Sequence, residues 1–293
     1  MTMHLFGTVL TPQAVAHNNR GENEGGTIST LQKVIRNGDI YSTMSSEAIR
    51  YAIREGWLDD RTLELNRTVS HHGSVWKDKE FRNPEKHIDD DVLGFMHAKK
   101  ETQSRRGILE LSRAISTLPW PGTVSSHFAS PGSNPSVTHN NPLPYQCEVH
   151  DTRYQYTFAL TPDSLLKDKE IRTEKTLLAI QNLRRPAGNH SRFLFDFAPE
   201  AVILRWTSDP APRIMFCFDH HENGELSLMK LVKRVQGGDI EASELIVGTS
   251  AEIEGLKDLK DAGVEVHDGV KSAFADLIAR VKKPVATKSR KTE

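Results

Sequence analysis

The amino-acid sequence predicts an α+β fold in which one β-sheet carries the core. One observation behind this prediction is a set of short alternating runs rich in β-branched and aromatic side chains. A second is a pair of longer segments in which apolar residues recur at helical spacing. The third is their order, which reads strand, helix, strand, strand, helix, strand. The chain has 293 residues, of which 37% are hydrophobic, so it is long enough to bury a large core.

The first half of the chain supplies a strand, a helix and a second strand. Residues 4–10 alternate and are rich in β-branched and aromatic side chains, which predicts the first strand. Ser45 or Ser46 can cap a helix over residues 46–55, whose apolar residues form one stripe. Residues 107–115 alternate well enough to be predicted as the second strand.

The second half begins with clear alternation at residues 154–160, which predicts a third strand. Apolar residues at helical spacing predict a helix over residues 169–183, and Pro186 ends it. The next apolar runs predict strands at residues 193–197, 201–206 and 213–218. The last third of the chain alternates helix-like and strand-like pieces, at residues 242–246, 251–259, 264–266 and 272–281.

This order is that of the ferredoxin-like and RNA-recognition folds, interrupted by insertions. Residues 57–104 have many charges and weak periodicity, and the six prolines between residues 118 and 144 require a long irregular loop. We therefore predict a single domain over residues 1–293. Its C-terminal region is an acidic α/β part at residues 219–282, followed by a flexible basic tail at residues 283–293.

Composition and motifs argue against several classes of protein. No apolar run reaches about 18 residues and the N-terminus lacks signal-peptide features, so we expect a cytoplasmic protein with no membrane partner. Cys147 and Cys217 are not spaced as a zinc site or a disulfide framework. The sequence has no HExxH, GxSxG, GxGxxG or phosphate-loop motif, which leaves hydrolase, dehydrogenase and NTPase functions with little support. No cofactor, metal or catalytic residue is predicted.

Charge is distributed unevenly, although the formal net charge is only −1. Acidic residues outnumber basic ones between residues 239 and 276, so that region is not expected to touch phosphate. Basic residues collect at residues 99–113, at residues 167–192 and in the tail after Arg280. A basic face on a nearly neutral protein is therefore compatible with the composition.

Three polar segments have residue types suited to RNA. The loop that follows the first strand, from His17 to Gly21, combines asparagines with one arginine, and it suits a phosphodiester or an ordinary solvated turn. Arg50 and Arg54 share one helix face, where they could follow an RNA backbone or pair with neighbouring glutamates. Residues 184–193 suit single-stranded RNA or a helix C-terminus.

The acidic run Asp89, Asp90 and Asp91 offers a different interpretation. Adjacent carboxylates can hold Mg²⁺ for phosphodiester cleavage. Three consecutive acids cannot all face one site, however, and no partner acid or histidine at helical spacing completes a ligand set. The alternative is a turn or strand start that positions residues 93–96.

Four motifs in a fixed order carry a family resemblance. They are Asn18-Asn19-Arg20-Gly21, residues 40–54, residues 89–96 and Arg105-Arg106-Gly107. Together they resemble the DevR-type backbone subunits of type I CRISPR Cascade complexes, especially type I-B, over residues 3–218. The resemblance implies a modified RNA-recognition fold with a hand-like shape, and it implies copies that stack into a helical filament along the guide RNA spacer.

The same resemblance implies roles for individual segments. Asn18 and Arg20 would contact the guide backbone, residues 57–104 would form fingers, and residues 118–144 would form a thumb or web that kinks the guide. The implied partners are a CRISPR RNA (crRNA), a target DNA strand, further copies of the chain and other Cascade subunits. Related subunits of type III systems cleave RNA with a loop aspartate, so a metal-dependent ribonuclease using the three aspartates stays as the alternative to a subunit that is not an enzyme.

The amide, hydroxyl, imidazole and basic side chains of these segments are the predicted RNA contacts. They are Asn18, Asn19, Arg20, Ser45, Arg50, Arg54, Lys99, Lys100, Arg105, Arg106, Arg184, Arg185, His190 and Arg192. A transcriptional regulator would need to recognise duplex DNA, and the sequence has no helix-turn-helix pattern. Whether the complex recruits a nuclease or a transposition machinery is left open by the sequence.

Overall fold

A computed structural model describes residues 1–17, 28–70, 73–97, 103–129, 143–183, 195–221 and 224–283. The helices in these ranges are α1 (Ser46–Leu58), α2 (Ile88–Leu93), α3 (Lys169–Gln181), α4 (Met229–Gln236), α5 (Leu256–Asp261) and α6 (Val270–Lys282). The strands in the N-terminal half are β1 (His4–Leu10), β2 (Ala14–Ala16), β3 (Ile28–Ser29), β4 (Lys33–Arg36), β5 (Asp39–Met44), β6 (Arg67–Ser70), β7 (Gly73–Trp76), β8 (Gly94–His97), β9 (Gln103–Arg106), β10 (Glu110–Leu111), β11 (Ala114–Ser116) and β12 (Val124–Ala129). The strands that follow are β13 (Leu143–Glu148), β14 (His150–Thr152), β15 (Tyr154–Leu160), β16 (Ala201–Thr207), β17 (Asp219–His220), β18 (Leu226–Ser227), β19 (Leu245–Thr249) and β20 (Glu265–His267).

The main sheet has the strand order β20, β19, β16, β1, β15, β11, β5, β4, and β10 also pairs with β15. The pairings of β1 with β15 and β16, and of β11 with β15, are antiparallel. Helix α1 links β1 to β11 across β15, and α3 links β15 to β16 across β1, which is the split βαβ arrangement of ferredoxin-like folds. The predicted α+β fold class and strand-helix order are confirmed.

Three helices, α1, α3 and α6, cover one face of this sheet. The alternation of β15 places Tyr154, Tyr156 and Phe158 on that face, where all three are buried. Burial of each such side chain contributes roughly 1.5–3 kcal/mol of transfer free energy. A Cβ atom at Gly7 would lie 2.3 Å from the ring of Phe158, so the glycine in β1 is what lets this ring cross its neighbouring strand.

The opposite face of the central strands is covered by the chain that follows β16. Ile214 and Phe218 pack there against Phe6 and Ile203. The Thr8 hydroxyl donates to the Ile214 carbonyl at 2.6 Å, and the Gln155 amide donates to the Phe218 carbonyl at 2.9 Å. RNA-recognition domains stack bases on aromatic side chains of an open sheet face. Over β1, β15 and β16 this face is closed, so it offers no such platform.

The predicted strand at residues 213–218 is wrong. The segment is irregular, and Arg213 and Phe216 have left-handed φ angles of 52° and 50°. Its apolar residues are buried against a sheet face and do not pair as a strand at the sheet edge. Both arrangements need the same apolar residues, so the sequence pattern does not distinguish them. Residues 195–197, from another predicted strand, are also irregular, and Phe195 and Phe197 pack beside Tyr154.

Other boundaries also differ from the sequence-based predictions. The predicted second strand at residues 107–115 is divided into β10 and β11. The piece at residues 242–246 is a short 3₁₀ turn that leads into β19. Within the segment predicted to be an irregular loop, β12 pairs with β13 as a hairpin, and residues 130–142 lie outside the described ranges. Helix α4 was not predicted. None of the helices described combines the length and apolar character needed to cross a bilayer.

Candidate nucleic-acid interface

The loop that begins at His17 has both of its ends attached to one stretch of chain. Residues 18–27, including the predicted contacts Asn18, Asn19 and Arg20, lie outside the described ranges. On one side of this gap Ala16 pairs with His150, and on the other Ile28 pairs with Gln146. His17 itself is buried, and its Nδ1 hydrogen-bonds the carbonyl oxygen of Glu148 at 2.9 Å.

The chain that leaves this loop contacts the beginning of α1. The Thr43 amide donates to the Gln32 carbonyl at 2.7 Å, and Arg113 donates to the side-chain oxygens of both residues at 3.2 Å. Ser45 caps α1, because its hydroxyl accepts from the Ala48 amide at 3.2 Å. This confirms one of the two predicted caps. The chain after the loop is therefore joined, through Gln32, to the end of the strand that leads into α1.

Arg50 and Arg54 lie on one face of α1, as the spacing predicted, but both contact the insertion that follows the helix. Arg50 donates to the carbonyls of Leu93 at 3.1 Å and Leu109 at 3.0 Å. The Arg54 guanidinium lies 3.4 Å from the carboxylate of Asp89. Burial lowers the pKa of both arginines. These contacts engage only part of each guanidinium, and RNA binding by the remaining N–H groups stays a prediction.

Two further predicted contacts lie on β9, which pairs with β8. Arg105 forms an ion pair with the carboxylate of Asp91 and donates to the carbonyl of Ser164 at 3.3 Å. Arg106 pairs with Glu110, yet its side chain is 85% exposed. Of the predicted arginines within the described ranges, Arg106 is therefore the one most open to a phosphate. Lys99 and Lys100 lie outside the described residues. We refer to Ser45, Arg50, Arg106 and Arg113 as the α1 surface.

The acidic run forms the short helix α2 rather than the predicted turn or strand start. Asp89 accepts from the backbone amides of Asn66 at 2.7 Å and Arg67 at 3.0 Å. Asp90 accepts from the side-chain amide of Asn66 at 2.8 Å. Burial, followed by the charge of Asp89, raises the pKa of Asp90 to about 7. Both carboxylates are buried in contacts within the insertion.

Asp91 joins three separate parts of the chain. Its carboxylate pairs with Arg105 of β9 and with Arg172 of α3, and it accepts from the Leu166 amide at 3.1 Å. The side chain is fully buried. Within the described ranges no group of three or more His, Cys, Asp or Glu residues could hold a metal ion. Each of the three aspartates therefore has structural partners within the protein.

A second basic loop, with Arg184, Arg185, His190 and Arg192, lies within residues 184–194 and outside the described ranges. Its C-terminal end returns at Phe195, whose ring lies 5.7 Å from the ring of Tyr154.

A short chain of contacts joins this end to the first loop. The hydroxyls of Tyr154 and Ser42 are 2.7 Å apart, and Ser42 also hydrogen-bonds His150 Nδ1 at 2.7 Å. His150 pairs with Ala16 at the first end of the first loop. Burial lowers the pKa of His150 to about 4, so this imidazole is neutral and structural at pH 7. The ends of the two predicted RNA-binding loops are thus linked through Tyr154, Ser42 and His150.

Sequence reasoning missed the residues that hold these loop ends. Lys33 donates to both carboxylate oxygens of Glu148, at 2.7 and 2.8 Å, across 115 residues of sequence. The same ammonium lies 4.3 Å from the centroid of the Trp120 ring. Nothing in the local pattern marks such pairs, because both partners are single charged residues in unremarkable strands.

Comparison with known proteins gives consistent matches. Residues 19–223 match the family described as "CRISPR-associated negative auto-regulator DevR/Csa2". The chain is 40% identical to "CRISPR-associated protein Cas7/Cst2/DevR" of Myxococcus xanthus, with 93% of this chain and 96% of the relative covered.

Solved structures with similar folds include a chain of a "CRISPR RNA-guided surveillance complex, pre-nicking". Its TM-score is 0.65 at 11% identity, over 95% of this chain and all of that one. A chain of another "CRISPR RNA-guided surveillance complex" has a TM-score of 0.57 at 16% identity, over 94% of this chain and 99% of that one. At such identities the two matches bear on the fold.

Proposed function

Because this chain belongs to the DevR/Csa2 family of CRISPR-associated proteins, we propose that it is a guide-RNA-binding backbone subunit of a CRISPR interference complex. The observation that carries the proposal is a series of contacts that links three features of the described structure. They are the ends of the loop at residues 18–27, the end of the loop at residues 184–194, and the N-terminus of α1.

This geometry suits recognition of an RNA backbone. The α1 surface contributes guanidinium groups, the Ser45 hydroxyl and a helix N-terminus, which are the usual donors to phosphate oxygens. The closed sheet face gives no aromatic platform for bases over the central strands, so bases would be left free for pairing. Sequence reading is then delegated to Watson–Crick pairing between the guide and a target DNA strand.

The proposal includes partners and a place of action. Copies of the chain would line up along one crRNA together with other Cascade subunits, and the assembly would work in the cytoplasm on target DNA. Residues 57–104 would act as fingers and residues 118–144 as a thumb in a single domain. Type I-B is the proposed subtype. The chain would hold RNA without cutting it, because the three aspartates already bind protein donors.

Assembly on RNA tests the proposal. Purified protein would be mixed with single-stranded RNAs of increasing length, and the mass of each complex would be measured by analytical ultracentrifugation. A backbone subunit adds one copy for each fixed increment of RNA length, whatever the sequence. Protein that stays monomeric on every RNA would contradict the proposal. A protein with one binding site would give complexes of constant stoichiometry.

The variant Arg106→Gln tests the α1 surface without disturbing the core. Removing one phosphate contact should weaken RNA binding about equally for all sequences, and the slope of log Kd against log salt should fall by about one. The control is Lys230→Gln, which removes an exposed lysine paired with Asp219 at 2.6 Å on a different element. If both variants lose the same RNA affinity, or if Arg106→Gln loses none, Arg106 does not belong to the RNA interface.

A further inference from the structure

Glu148 is a buried acid at the base of the β12–β13 hairpin. It is the last residue of β13 and is 6% exposed. One carboxylate oxygen accepts from the Leu31 amide at 2.7 Å, and Lys33 donates to both oxygens. Its backbone carbonyl is the oxygen that hydrogen-bonds His17. A single residue therefore contacts the chain before and after residues 18–27.

Neighbouring contacts make this arrangement rigid. Ala16 pairs with His150 on one side of Glu148, and Ile28 pairs with Gln146 on the other. Lys33, the partner of the carboxylate, is also held against the Trp120 ring. The indole nitrogen of Trp120 donates to the Val149 carbonyl at 2.9 Å, so the aromatic partner of Lys33 is anchored one residue beyond Glu148.

Resting on the proposed function, we propose that Glu148 is a positioning residue for guide RNA. It holds both ends of the loop at residues 18–27, together with the base of the β12–β13 hairpin, in one geometry before RNA arrives. Preorganisation of this kind lowers the entropy lost when a loop binds. An acid beside a phosphate-binding surface would normally repel RNA, and the close contact with Lys33 compensates its charge.

Two substitutions separate the parts of this contact. Glu148→Gln keeps an acceptor for the Leu31 amide but removes the negative charge that Lys33 binds. Lys33→Gln leaves the Leu31 hydrogen bond in place and removes the cation. Each should weaken RNA binding by about tenfold, a loss of roughly 1.4 kcal/mol. The matched control is Glu174→Gln, which breaks a Glu–Lys pair of 2.8 Å with Lys282, away from both loops.

A double-mutant cycle with Arg20→Ala tells positioning from general destabilisation. If Glu148 acts through the loop, Glu148→Gln should add less than threefold to the loss caused by Arg20→Ala. If the double variant loses RNA affinity by the product of the two single losses, the inference is wrong. It is also wrong if Glu148→Gln binds RNA as tightly as the unmodified protein. If Glu148→Gln does not fold, Lys33→Gln takes its place in the cycle with the same two criteria.

Hydrogen exchange separates this inference from the proposed function. In protein without RNA, the amides of residues 28–33 should exchange at least tenfold faster in Glu148→Gln than in Glu174→Gln. The Leu31 amide would then donate to a weaker, neutral acceptor, and Lys33 would lose the ion pair that holds this segment. Unchanged exchange would overturn the inference even if RNA binds. Suppose instead that exchange is faster in Glu148→Gln but the unmodified protein binds no RNA. That result would contradict the proposed function and would still support the role of Glu148 in holding the two loop ends.

Discussion

The carboxylate of Asp91 is the point where the insertion after α1 is joined to α3. It is fully buried and is satisfied by two arginines and one backbone amide, all from distant parts of the sequence. A buried carboxylate with such partners stabilises by neutralising cations that would otherwise be stranded. One of the three aspartates considered as metal ligands in the sequence thus has structural partners in the folded chain.

Replacing Asp91 by Asn should cost roughly 3 kcal/mol, since Arg172 would remain buried without its counter-charge. The loss would be measured by urea unfolding at pH 7. Asp168→Asn is the matched control, because Asp168 is half exposed, lies 3.9 Å from Lys167 and has a left-handed backbone that Asn tolerates. Equal stability of Asp91→Asn and the control would contradict the structural role. So would Mg²⁺-dependent RNA cleavage that Asp91→Asn abolishes without unfolding.

Asp90 should make the stability of the protein depend on pH. Burial raises its pKa from 3.8 to about 7. Between pH 3.8 and about pH 7, the folded chain therefore keeps a proton on Asp90 that the unfolded chain has released. Ionisation of Asp90 therefore removes stability as the pH rises through 7. Asp90→Asn should raise the free energy of unfolding at pH 8 by on the order of 1 kcal/mol, or roughly 2–4 °C in Tm, and much less at pH 5. A variant that is destabilised at pH 8 would contradict this.

At the scale of elements, the N-terminus of α1 combines a cap with a place in the α1 surface. The Ser45 hydroxyl satisfies the Ala48 amide, and the preceding strand β5 pairs with β11 beside Arg113. A helix N-terminus favours anionic groups because its first amides lack intrahelical partners. Ser45 can therefore be tested separately as a helix cap and as a contact to phosphate.

Ser45→Asp and Ser45→Asn both keep a good cap, but only Asp adds a negative charge. We expect equal or slightly higher stability for Ser45→Asp and RNA binding several-fold weaker than that of Ser45→Asn. Ser45→Ala should lose about 1 kcal/mol of stability through loss of the cap. Filter binding and thermal unfolding on the three variants would measure both effects. Equal RNA affinity of the Asp and Asn variants would place Ser45 outside the interface.

The elements that the sequence could predict are those with strong periodicity and clear ends. Strands β1, β15 and β16 and helices α1 and α3 were predicted from alternation, helical spacing and caps, and each lies within a few residues of its predicted bounds. The strand predicted at residues 213–218 failed because burial against a sheet face requires the same apolar residues as pairing within it. Short elements such as α2 carry too few residues for a periodic signal.

The candidate interface was predictable in composition but not in contacts. Polar and basic segments indicated which parts of the chain suit RNA. The sequence could not indicate that Arg50 reaches Leu93 and that Arg105 reaches Asp91, because the partners are 43 and 14 residues away and meet only in the folded chain. The same reason hides Glu148, whose role comes from two chain segments more than 100 residues upstream.

At the scale of the whole molecule, the layout of the main sheet decides where RNA can lie. Helices cover one face, and the chain after β16 covers the other over β1, β15 and β16. The loop ends are linked by hydrogen bonds to β5, the strand that leads into α1. A guide held there by its phosphates would cross the subunit at its edge, where copies in a row could share one continuous RNA.

The most direct test of this account is to sequence the RNA that the protein carries. The full-length chain would be expressed together with its partner subunits and a CRISPR array, purified at moderate salt, and its bound RNA extracted and sequenced. A guide-binding backbone subunit should carry spacer sequences flanked by repeat fragments, in RNAs of uniform length. Protein that carries no RNA, or cellular RNA without enrichment of repeat-flanked spacers, would contradict it.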